Sequence, residues 1–262
     1  DLRLALTFAP PAQRAALTTL FAVYLEIREV PVECRDPGVA AVKLGWWEDE
    51  VEALYRTKPR HPLTQALAPY LASLASHKQA FLDLVAGTRM DVTGSQFASF
   101  EDLKRYCYRH SGALAEITAA LCGGRSKEAL LSARLLGNSC RLAHLVTSGI
   151  PEALEGRLYF ATEDLRRHGV DRHINAEHHS DAPVQALLED YAERARAMGF
   201  EAAALLPASD RISLAAWRIL HALALKRVAK LEARGFRTAA KPVELHPLPA
   251  LFTAWRTARR AG

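Results

Sequence analysis

Two segments carry the side chains best suited to holding an anion or a metal ion. Residues 21–33 place Glu26, Arg28, Glu29 and Glu33 in one run. Residues 136–152 carry Arg141, His144, Ser148 and Glu152. An arginine fork can grip a phosphate or carboxylate through parallel hydrogen bonds. Carboxylates one helical turn apart share a face and can hold a hard cation such as magnesium, which takes oxygen ligands. Pro31 lies among the acids of the first segment. It removes a backbone donor, crowds the carbonyl four residues back and pushes Val30 from helical geometry, so a distorted platform is expected. Arg141, His144 and Ser148 share a face only while their helix continues, and Gly149 and Pro151 predict that it ends there.

Other groups have two readings each. His168, His173, His178 and His179 lie within twelve residues, beside Asp171, Glu177 and Asp181. The mixture suits a transition metal, but the spacing fits no ligand signature, so a polar surface loop is the expectation. Tyr106 and His110, four apart, share a face and either meet a ligand or pack in the core. Trp46 and Trp47 read as packing. Cys34, Cys107, Cys122 and Cys140 form no CxxC pair, so neither a disulfide framework nor a zinc site is expected, and a reducing, cytoplasmic setting is. There is no Ser-His-Asp order, phosphate-binding loop or dinucleotide glycine motif.

The elements that must position these groups are helical. Leu17, Leu20, Phe21 and Tyr24 follow 3, 4 and 7 spacing after Pro10-Pro11. Further helices are expected at 39–55, 63–86, 100–121 (opened by a Ser99–Asp102 capping box), 127–147, 183–205 and 210–234. Strand alternation is nearly absent, and 149–182 is the least helical stretch. With 262 residues, half of them hydrophobic, the chain can bury a large core, and one domain over 1–262 is expected, all-α, with long helices around a central cavity. A net charge of +5 with dispersed basic residues favours an ordinary polar surface over nucleic acid. No apolar run reaches the 18 residues a membrane span needs. Arg256, Arg259 and Arg260 could still touch an anionic lipid surface.

The order of landmarks resembles the squalene/phytoene synthase family. The resemblance rests on residues 21–29, Lys43-Leu-Gly-Trp46-Trp47-Glu-Asp-Glu, His61-Pro62-Leu63 and Gly87-Thr-Arg-Met-Asp91. It continues through Leu103-Lys-Arg-Tyr106-Cys107-Tyr-Arg-His-Ser-Gly112, Gly156-Arg157-Leu-Tyr159, Asp164-Leu165 and Gly169-Val170. Each motif is weak alone; their number and order are not. The match runs along essentially the whole chain, strongest at 14–55 and 100–170, and residue 1 falls inside the expected first family helix. The resemblance implies the isoprenoid synthase fold: a helical bundle whose facing acidic clusters hold magnesium ions that grip a prenyl diphosphate, ionised in an apolar cavity.

At the positions of the family's aspartates this chain has Arg28, Glu29 and Val32 in the first cluster, and Ser148 and Glu152 in the second. These former metal and diphosphate positions favour a non-catalytic member that needs no cofactor. Such a member would bind an isoprenoid or lipid, or, like the branch that supplies respiratory complex I assembly factors, act on a protein partner near a membrane. The alternative is an active magnesium-dependent prenyltransferase condensing prenyl diphosphates with a divergent site. Asp91, Tyr106, His110, Arg141, His144 and Arg157 are the cavity or anion-binding candidates. Arg28, Arg141 and His144 either meet an anion directly, or Arg28 pairs internally with Glu26, Glu29 or Glu152.

Overall fold

The computed structural model describes residues 1–175, 177–238 and 242–260, and contains no strand among them. Twelve α-helices are described: α1 (Leu2–Phe8), α2 (Pro11–Glu33), α3 (Pro37–Tyr55), α4 (Pro62–Leu67), α5 (Lys78–Thr93), α6 (Phe100–Cys107), α7 (Ala113–Leu121), α8 (Lys127–Leu154), α9 (Thr162–His168), α10 (Ala182–Leu205), α11 (Ala215–Glu232) and α12 (Pro247–Arg259).

Local chemistry sets several boundaries. Ser99 and Asp102 close the capping box that opens α6, and the Ser126 hydroxyl accepts from the Ala129 amide to open α8. The single helix expected at 63–86 is instead α4, a 3₁₀ turn at Ala68–Leu74, and α5. Pro69 explains the break, since it removes one donor and crowds the preceding turn. The run expected at 100–121 is interrupted by one turn of π-helix, Tyr108–Gly112, between α6 and α7. Such turns insert an extra residue and re-aim the side chains around them.

Neither proline ends its helix. α2 continues through Pro31 to Glu33, and α8 continues through Gly149 and Pro151 to Leu154. Pro151 leaves the Thr147 carbonyl without its usual donor, and the Val243 amide supplies one at 3.4 Å. The Gly149 Cα lies where a β-carbon would come 2.9 Å from the Phe160 ring. Tertiary packing therefore holds a helix that local preference would stop.

α8 is the spine. It packs along α10 and α11 and contributes to both buried clusters. Ala129, Ala133 and Leu136 join the cluster built on α2, α3, α5 and α7, and Leu142, Leu145, Val146 and Ile150 join the one built with α10. α2 commits Leu17, Leu20, Phe21 and Ile27 to the core, each contributing about 1.5–3 kcal/mol by burial. That fixes the rotation of α2 and turns Tyr24 and Arg28 toward α8.

Candidate functional site

A cavity of about 530 Å³ opens among α1, α2, the π turn, α8, α11 and residues 242–244. Its walls include Leu25, Leu114, Trp217, Leu220 and Ala224, and its polar end is built from Arg28, His110, Arg141, His144 and Ser148. Close backbone approach places that polar end. A β-carbon on Gly137 of α8 would lie 2.5 Å from the Ser111 carbonyl oxygen, and one on Gly87 of α5 2.8 Å from that of Arg109. Only glycine lets α5 and α8 grip the π turn this closely, which carries His110 to the cavity wall.

Asp91 organises the charges. It forms an ion pair with Arg28, from 63 residues away. Its Oδ1 accepts from the Tyr106 hydroxyl at 2.7 Å and from the Tyr159 hydroxyl at 3.1 Å. Arg141 donates to the Tyr106 hydroxyl at 2.6 Å and lies over the rings of Tyr106 and Tyr159, 5.2 and 5.1 Å from their centroids. The two tyrosine rings stack at 5.4 Å. Burial raises the pKa of Tyr106 well above that of an ordinary phenol and that of Tyr159 to about 12, so both remain donors at neutral pH. Burial works against the Arg141 charge, but Tyr106, Glu152 and Asp91 outweigh it and keep the guanidinium ionised.

The rim of the polar end belongs to α8. Because that helix does not stop at Gly149, His144, Ser148 and Glu152 fall at i, i+4 and i+8, and the His144 Nε2 lies 2.9 Å from a Glu152 carboxylate oxygen. Burial opposes the Glu152 charge, yet His144 and Arg141 lower its pKa overall. His110 touches Tyr106 at 5.7 Å between ring centroids, and its Nδ1 meets the Ser111 hydroxyl at 2.9 Å. Burial, then Arg141 and Arg28, drive its pKa well below the ordinary value, so the imidazole is neutral. Three buried polar atoms here have no partner among the described residues: His110 Nε2, Arg141 Nε and Glu152 Oε2.

The structure thus gathers Arg28, Asp91, Tyr106, His110, Arg141, His144, Ser148 and Glu152 around one end of the cavity. Two candidates do not line the cavity. Glu29 is exposed on α2, one turn beyond Leu25, and the residues of that helix that line the cavity are Tyr24, Leu25 and Arg28. Arg157 is half-exposed, pairs with Glu155 and borders a separate hollow of about 90 Å³ behind Asp91. The internal pairing expected for Arg28 also differs: its partner is Asp91, not Glu26, Glu29 or Glu152. Tyr159 is the functional-looking residue that sequence reasoning left out, although the Gly156-Arg157-Leu-Tyr159 motif contained it.

This donor set offers magnesium few free oxygens. Magnesium takes one or two carboxylates together with substrate phosphates and waters, and here the Asp91 carboxylate is taken by Arg28 and two phenols, while Glu152 gives one oxygen to His144 and keeps the other without a partner among the described residues. Among the described residues no three His, Cys, Asp or Glu side chains stand together as a metal site, the histidines of 168–179 included. His168 bonds Asp190, and His178 bonds Asp181.

The family model for squalene/phytoene synthase matches residues 1–251, and the chain belongs to that family. It is 30% identical over 173 residues to the 15-cis-phytoene synthase of Synechocystis sp., which is 60% of this chain and 50% of that protein. It is 25% identical to phytoene synthase 2, chloroplastic, of Solanum lycopersicum, over 92% of this chain and 82% of that one. The match to the first of these relatives spans about half of its length. Among solved structures, a dehydrosqualene synthase in complex with ligand superposes with a TM-score of 0.84 at 17% identity, over 99% of this chain and 90% of that one. Squalene synthase HpnC from Alicyclobacillus acidocaldarius gives 0.79 at 17%, over 91% and 90%. The fold is therefore the all-α isoprenoid synthase fold.

Proposed function

We propose that this chain is a non-catalytic member of its family that binds an isoprenoid or similar lipid with an anionic head, without a metal. The apolar walls would hold the chain, and the volume of about 530 Å³ lies in the usual range for ligand pockets, about 300–1,000 Å³. The head would meet Arg28 and Arg141 directly, with Ser148 and the neutral His110 and His144 as hydrogen-bonding partners. One observation carries the reading. Arg28 stands at a position where the family resemblance implies a metal-binding aspartate, and it is locked to Asp91.

The reaction of the relatives named above reaches this chain only as the alternative. The test is incubation with farnesyl and geranylgeranyl diphosphate in magnesium, reading pyrophosphate release and products by mass spectrometry. Bound, unreacted prenyl chain is expected. Magnesium-dependent pyrophosphate release with a condensed hydrocarbon product would make the chain an enzyme and overturn the proposal.

A further inference from the structure

α12 is packed inside out. Its small side chains Ala250, Thr253 and Ala254 are buried against α11 and α1. Its large apolar ones face solvent: Leu248 is 68% exposed, Leu251 44%, Phe252 56% and Trp255 41%. These four fall at i, i+3, i+4 and i+7, a single stripe along the helix. The rings of Phe252 and Trp255 touch, with centroids 5.7 Å apart. The helix is fastened from below by Lys226, whose Nζ donates to the Pro249 carbonyl at 3.2 Å and the Thr253 hydroxyl at 2.8 Å.

The charge beside the stripe has one sign. Residues 247–260 contain Arg256, Arg259 and Arg260 and no acid. Arg218 reaches the Arg260 carbonyl from α11, and Arg211 lies close enough to it to repel. None of these five arginines makes an ion pair among the described residues. Arg259 lies over the Trp255 ring, 5.1 Å from its centroid.

We infer that α12 is an interfacial helix that docks this protein on the surface of an anionic lipid bilayer. A stripe of Leu, Phe and Trp flanked by unpaired arginines suits the boundary between headgroups and acyl chains. The rings enter that boundary while the guanidinium groups stay among the phosphates. A second copy of this chain fits less well, since apposing two such stripes would also bring two arginine clusters together. Residues 242–244, which wall the cavity, lead into α12, so docking sets that wall close to the bilayer. The inference stands whether or not the cavity holds a lipid.

The test is flotation of the full chain with vesicles of phosphatidylcholine alone and of phosphatidylcholine with phosphatidylglycerol. Two double variants accompany it, Phe252→Ser/Trp255→Ser and Arg256→Gln/Arg259→Gln, with circular dichroism to confirm the helix content and light scattering to report mass. The wild type is expected on the anionic vesicles, with binding that weakens as salt rises. Loss of two arginines should weaken it about 25-fold, at roughly fivefold for each basic residue near the surface, and the serine pair should release it altogether. Absence from both vesicle types, or variants that bind like the wild type, would overturn the inference. So would a wild-type dimer that the serine pair converts to monomer, because the stripe would then belong to a second copy.

Discussion

Replacing Asp91 with asparagine tests whether the charges at the cavity's polar end depend on one carboxylate. The new amide oxygen would still accept from Tyr106 and Tyr159, so the change isolates the Arg28 ion pair. Breaking a fully buried pair costs about 3–5 kcal/mol. The side chain of Asp91 is 8% exposed but that of Arg28 is 24%, so solvent screening should reduce the loss to about 2 kcal/mol. In a chain of this size that lowers the thermal midpoint by about 4–8 °C. The assay is urea unfolding, with a shifted midpoint and an unchanged slope, repeated for Arg28→Met and for Arg28→Met/Asp91→Asn. Removing both partners together should cost clearly less than the sum of the separate losses, with a coupling of about 1.5 kcal/mol. Additive losses, with coupling under about 0.5 kcal/mol, would refute the pairing.

Three further outcomes follow from the packing. The His221 ring is in contact with Ser139, and burial lowers its pKa to about 4. The unfolded chain therefore binds a proton there first as pH falls, and stability should drop between about pH 6.5 and 4, by about 2 kcal/mol at pH 5. In His221→Gln that share of the pH dependence should vanish from urea midpoints taken at pH 7 and 5. Gly137→Ala puts a β-carbon against the Ser111 carbonyl, which should cost about 1–3 kcal/mol and weaken farnesyl diphosphate binding by displacing the π turn. Ala224→Trp, on the cavity wall, should abolish that binding in a protein whose circular dichroism is unchanged; binding at wild-type strength would place the ligand elsewhere.

How much of this was legible in the sequence depended on the range of each interaction. Helices read well where caps and apolar spacing are local, as at Ser99, Ser126 and along α2. Pro31, Gly149 and Pro151 misled, because their local cost is outweighed by burial of the helices around them and, at Pro151, by a donor from Val243. The π turn leaves no periodic signature, since one extra residue only rotates the pattern. α12 is masked in the sequence by Pro247 and Pro249, which look like loop, although Leu248, Leu251, Phe252 and Trp255 keep helical spacing. The family's aspartate positions could be found from the resemblance, but the Arg28–Asp91 pair spans 63 residues and appears only once α2 and α5 are packed.

In the function proposed above, arginine takes the place of metal at the polar end of the cavity. Isothermal titration of farnesyl diphosphate in EDTA, and again in excess magnesium, is the direct test. Binding of similar strength is expected in both, reduced at least tenfold in Arg141→Gln, by about the 1.5–3 kcal/mol of a charged hydrogen bond. Binding that appears only with magnesium and survives Arg141→Gln would contradict it.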